Sequence, residues 1–62
     1  MKLRDLERHL ERSGCERIRH GSKHDVWQGP SGRSTVPRHR EIPTGTARKI
    51  CEQLGAPEPR QR

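Results

Sequence analysis

The sequence predicts an α+β fold of order α-β-β-β-α, a three-stranded antiparallel sheet with two helices on one face. Three observations predict it. The few apolar residues are periodic rather than scattered: they recur at helical spacing near both ends and gather in short runs between. Glycine and proline fall between those segments, notably at Gly14, Gly21, Gly29-Pro30 and Gly32. The turns joining the three middle runs are short, and short turns join antiparallel neighbours.

Residues 2–13, KLRDLERHLERS, read as a helix. Leu3, Leu6 and Leu10 lie at i, i+3 and i+7 and form one narrow apolar stripe. Glu7 and Glu11 sit beside basic neighbours at helical spacing. Ser13-Gly14 stops the helix, because glycine accepts the left-handed conformation that ends one. Residues 15–20, CERIRH, alternate poorly and read as a strand mainly because the Gly21-Ser22 turn follows. HDVWQ, 24–28, is a strand centred on Val26 and Trp27, closed by the turn Gly29-Pro30-Ser31-Gly32. RSTVP, 33–37, is a third, β-branched strand in which Pro37 marks an end or an edge.

After the basic loop RHREIP, 38–43, a second helix is predicted from Thr44 to Leu54. Ala47, Ile50, Cys51 and Leu54 lie at i, i+3, i+4 and i+7; Thr44 is the expected N-cap, and Gly55 with Pro57 supplies the stop. Residues 1–56 form one domain on this reading, and 57–62 a mobile basic tail with nothing to bury. Placing both helices on one face of the sheet buries both stripes and leaves the other face in water.

Sixty-two residues allow one small domain, in the range where a single core is marginal. With 24% apolar residues, a net charge of +6 and only nine Leu, Ile and Val, the composition overlaps that of disordered chains. Periodicity opposes disorder and predicts a domain of low intrinsic stability that a partner strengthens. Eleven of the fourteen basic residues are arginine. Its planar fork binds phosphate through two parallel hydrogen bonds, which suits a nucleic-acid partner. An anionic membrane or an acidic protein matches the charge as well. No apolar run is long enough to span a bilayer and no signal-peptide core is present, so a cytoplasmic protein is expected. Cys15 and Cys51 lack CxxC spacing and are expected as buried free thiols, with one disulfide between the first strand and the last helix as the alternative. No Cys/His pair has zinc-ligand spacing, so neither metal nor small-molecule cofactor is expected.

Trp27 is the only aromatic residue and must fill the helix-covered side of the sheet. Successive strand side chains alternate between faces, so His24, an odd number of positions away, points to the open face. Lys23, Arg19 and Arg33 fall nearby. A histidine among such charges fits RNA cleavage: it titrates near neutral pH and can take the proton of a ribose 2′-hydroxyl or protonate the leaving oxygen. Arg and Lys stabilise the phosphorane. A solvated surface histidine is the plain alternative. His9, on the polar face of the first helix, and His20 and His39, in basic surroundings, read as surface residues, with His39 near enough to the loop arginines to contact phosphate. Arg19, Lys23, Arg33, Arg38 and Arg40 are the candidate RNA-binding residues, brought by the meander to the rim of the open face.

Taken together, these stretches resemble the HicA-type messenger-RNA-cleaving toxins of bacterial toxin–antitoxin pairs. The resemblance covers nearly the whole chain: KLRDLERHLE then Gly14, GSKHDVW, the ending Thr35-Val36-Pro37, and PTGTARKI leading to a final Leu-Gly. It implies a fold like a double-stranded-RNA-binding domain and a type II toxin that cleaves mRNA without metal. It also implies a histidine essential for cleavage at the start of the second strand, usually in a Gly-Ser-His-His-x-aromatic setting. Counting back three from Trp27 gives that role to His24; aligning on Gly21-Ser22 gives it to Lys23. The Trp27 anchor is preferred, because core packing fixes register while a turn absorbs an insertion. Asp25 stands where many members have a second histidine, and Cys15 where many have tryptophan. A cognate HicB-like antitoxin is the implied partner, covering the histidine face. Two other functions fit the residues: a non-catalytic RNA- or DNA-binding module, and a small protein whose charge holds an acidic partner.

Overall fold

The structure is a computed structural model that describes residues 1–59; positions 60–62 of the expected basic tail lie outside the described residues. The elements follow the predicted order: α1 Leu3–Arg12, β1 Glu16–His20, β2 His24–Gly29, β3 Gly32–Pro37 and α2 Thr44–Leu54. The strands form one antiparallel sheet in the order β1-β2-β3. Both helices stop at left-handed glycines, Gly14 at φ 84° and Gly55 at φ 81°.

The second helix begins differently from the expectation. Thr44 is its first residue rather than its N-cap, and Pro43 takes the cap position at φ −57°, ψ 146°. The reason is local. Proline fixes its own φ in the extended range, and its carbonyl accepts the first intrahelical bond, from Ala47 N–H at 2.9 Å.

Alternation along β2 and β3 settles the two faces of the sheet. Asp25, Trp27, Ser34 and Val36 turn toward the helices and are buried, while His24, Arg33 and Thr35 are exposed on the other side. Leu6 and Leu10 from α1 and Ala47, Ile50, Cys51 and Leu54 from α2 close over Trp27 in one core. Ser34 tolerates burial because its hydroxyl donates to Gln53 Oε1 at 2.6 Å. Trp27 is 3% exposed, and its indole N–H has no acceptor among the described residues. Cys15 and Cys51 are both buried free thiols, and burial pushes both above the ordinary thiol range. Neither is a thiolate at neutral pH.

A β-bulge explains why CERIRH alternates poorly. Arg17 pairs with Trp27 and Arg19 with Val26, so Ile18 is the extra residue and its side chain is 40% exposed. In a regular strand Arg17 and Arg19 would share a face. The bulge separates them, sending Arg17 to the helix side and Arg19 to the open face.

The loop between β3 and α2 also carries a core residue that the helix and strand patterns do not reveal. Ile42 is 1% exposed. Its N–H donates to the Met1 carbonyl at 2.7 Å, Leu3 N–H donates to the Arg40 carbonyl at 3.0 Å, and the Lys2 and Glu41 backbones pair as an isolated antiparallel β-bridge. The start of α1 is thereby stitched to the basic loop. Past α2, the Pro57 carbonyl accepts from His9 Nε2 at 2.8 Å, Glu58 pairs with Arg48 at 2.7 Å, and Pro59 is buried. His9 is thus not a simple solvated residue. No described helix is long and apolar enough to cross a membrane.

Candidate active site

His24 opens β2, exposed on the open face as alternation predicts. Its partner in the register is Pro37. The two form a non-hydrogen-bonded pair in which neither donates to the other, so the missing N–H of Pro37 costs the β2–β3 ladder nothing. The neighbours hold the backbone instead: Lys23 C=O accepts from Arg38 N–H at 3.0 Å. On the turn side the packing is tight. A Cβ at Gly21 would collide with the His24 carbonyl oxygen, so the residue there must be glycine unless the backbone shifts.

The register gathers charge on the same face. Arg19 lies opposite Val26, which lies opposite Thr35; Arg33 lies opposite Gln28 and donates from Nε to Gln28 Oε1 at 3.0 Å. Lys23 is exposed in the turn just before His24. Arg19, Lys23 and Arg33 therefore share the His24 side of the sheet or its rim. His39 and Arg40 are exposed in the following loop. Arg38 is placed differently: its guanidinium turns to the helix side and donates from Nη1 to Asp25 Oδ2 at 2.9 Å.

Asp25 is the centre of a polar network that the sequence reading does not anticipate. Its side chain is fully buried. Oδ1 accepts from Gly21 N–H at 3.2 Å and lies 3.1 Å from His20 Nδ1. Arg17 Nη1 lies 3.6 Å from Oδ2 and 3.7 Å from Glu7 Oε2 of α1. Burial acts to raise the Asp25 carboxyl. The Gly21 N–H, the Arg38 hydrogen bond and charge, and the His20 charge together outweigh it and hold the group below its ordinary value. Asp25 is ionised at neutral pH.

His20, expected as a plain surface residue, is drawn into this network; its Nδ1 also lies 3.3 Å from Arg38 Nη1. The signal for Asp25 was present in the sequence: it shares parity with Trp27, so alternation alone turns it inward. Arg17 could not be read the same way, because its direction depends on the bulge.

The open face carries the positive charge, whereas a cleft beside α1 does not. A cleft of about 540 Å³ between α1 and the sheet is lined by Glu7, Glu11, Cys15, Glu16, Arg17 and Trp27. Three carboxylates against one guanidinium make it a poor seat for a polyanion. Among the described residues no group of three or more His, Cys, Asp or Glu is placed to hold a metal ion.

Among known families, the model of the HicA toxin of bacterial toxin–antitoxin matches residues 3–56. No curated protein and no solved structure matches the chain.

Proposed function

Since the chain belongs to the HicA toxin family, and so has a cognate antitoxin in a toxin–antitoxin system, we propose that it is a metal-independent endoribonuclease cleaving mRNA through His24. The observation that carries the reading is the exposed His24 on the sheet face that also bears Arg19 and Arg33. The His24 imidazole takes the proton of a ribose 2′-hydroxyl. The freed oxygen attacks the adjacent phosphorus, the bond from phosphorus to the 5′ oxygen breaks, and that oxygen takes a proton from water as it leaves, the resulting hydroxide recovering the proton held by His24. Arg19 and Lys23, the nearer to His24, stabilise the charge that builds on the phosphorane, while Arg33, opposite Gln28 at the far end of β2, and Arg40 extend the phosphate track. A HicB-like antitoxin neutralises this face by covering it. Incubating the purified chain with RNA, with and without a chelator, tests the reading: cleavage unaffected by the chelator supports it, and intact RNA in both arms rejects it.

The same face used as a non-catalytic RNA-binding module is the second reading. One observation favours it: Asp25, the carboxylate next to His24 in sequence, turns to the opposite side and serves Arg38 rather than His24.

Both readings expect RNA affinity to fall steeply with salt. Each phosphate neutralised on a single strand contributes about −0.7 to the slope of log affinity against log salt. Arg19→Ala and Arg33→Ala should each flatten that slope by about this amount. Arg48→Ala, on α2 and paired with Glu58, should leave it unchanged. Titrations at several salt concentrations read the slopes directly, and a slope near zero for the parent chain would instead support a protein that binds an acidic partner.

A further inference from the structure

We propose that Asp25 and Arg38 form a clamp that positions His24, a role that rests on the reading of His24 as the acid–base group. Arg38 holds both flanks of residue 24. Its N–H donates to the Lys23 carbonyl at 3.0 Å, and its guanidinium donates to the Asp25 carboxylate at 2.9 Å. The other carboxylate oxygen accepts from Gly21 N–H at 3.2 Å, so the turn before His24 is tied to the strand after it. Residue 24 itself opens its strand opposite a proline. That pair exchanges no hydrogen bond of its own, so the backbone at residue 24 is held through its neighbours. The exposed imidazole then takes its direction from the backbone at 23–25.

The chemistry of the clamp supports a geometric role over a purely stabilising one. A buried ion pair is a weak source of stability, because apolar residues of similar volume often serve equally well. What it supplies is direction, through hydrogen bonds with fixed donors. Here the carboxylate meets Arg38 from the end of β3, Gly21 from the turn, and His20 and Arg17 from β1, with Glu7 of α1 facing Arg17. Each element that borders the start of β2 is anchored to one buried group. Asp25 and Arg38 act through His24, so both are positioning residues.

Steady-state cleavage by Asp25→Asn, Arg38→Gln and Arg38→Lys, with His24→Ala as the inactive reference, tests the clamp. Small misplacements of a reacting group cost up to about 100-fold in rate. Scaled to the folded fraction read by far-UV circular dichroism, kcat of Asp25→Asn and Arg38→Gln should therefore fall by about 10–100-fold with KM within about 3-fold, and Arg38→Lys should recover part of the loss. A role for Arg38 in holding phosphate gives the opposite split, a raised KM with kcat kept, and Asp25→Asn would then have no effect. Parental kcat in both Asp25→Asn and Arg38→Gln, with His24→Ala inactive, overturns the clamp and leaves the catalytic reading standing. If His24→Ala cleaves as fast as the parent, the catalytic reading falls, and NMR decides the clamp alone. Altered His24 ring signals and faster amide exchange at 23–25 in both variants support it; unchanged signals and exchange reject it.

Discussion

Replacing Trp27 with alanine is expected to remove about 3–5 kcal/mol of stability. A domain of this length has roughly 3–9 kcal/mol in total, so the variant should lose a large share of its stability. The size of the effect follows from the core: Trp27 is 3% exposed and the only aromatic residue among aliphatic partners from both helices. Trp27→Phe should cost much less. The indole N–H has no acceptor among the described residues, so phenylalanine sacrifices packing volume but no hydrogen bond, and removes an unsatisfied donor. Urea or thermal melts followed by far-UV circular dichroism read both variants. An unchanged midpoint for Trp27→Ala would place the indole at the surface and undo the register that sends His24 outward.

His24→Ala should lower RNA cleavage by about 10²–10⁴-fold, the usual contribution of a positioned acid–base group. Toxicity in cells should be relieved. The fold should persist, because truncating an exposed side chain usually shifts stability by no more than about 0.5 kcal/mol. RNA binding should persist too, since the arginines supply the charge. Full cleavage by the variant would move the role to Lys23, His20 or His39. RNA binding by both proteins with cleavage by neither would select the non-catalytic module.

The order of elements was legible because it rests on local signals. Helical spacing marked α1 and α2, and Gly14 and Gly55 marked their ends. Alternation around Trp27 was enough to put His24 on the open face and both helices over the other. What stayed hidden depends on contacts distant in sequence. Ile42 reads as a stray apolar residue in a basic loop until the backbone of residues 1–3 is brought against it. The opposite directions of Arg17 and Arg19 follow from one inserted residue, Ile18, which no periodicity in five residues reveals. Arg38 reads as one more rim arginine because nothing near it in sequence predicts a buried carboxylate partner thirteen positions away. Asp25 shares the parity of Trp27, but its charge argues against burial, and only its partners in space resolve that conflict.

The end group left on the RNA is the measurement that tests the account most directly. The purified chain is incubated with a defined single-stranded RNA in excess EDTA, and the fragments are weighed by mass spectrometry. Attack by a 2′-hydroxyl activated by His24 predicts cleavage undiminished by EDTA, with upstream fragments ending in a 2′,3′-cyclic phosphate and downstream fragments beginning with a 5′-hydroxyl. Fragments ending in a 3′-hydroxyl with a 5′-phosphate would mean that water attacks the phosphorus, cleavage that EDTA abolishes would mean that a metal ion takes part, and either would contradict the role given to His24.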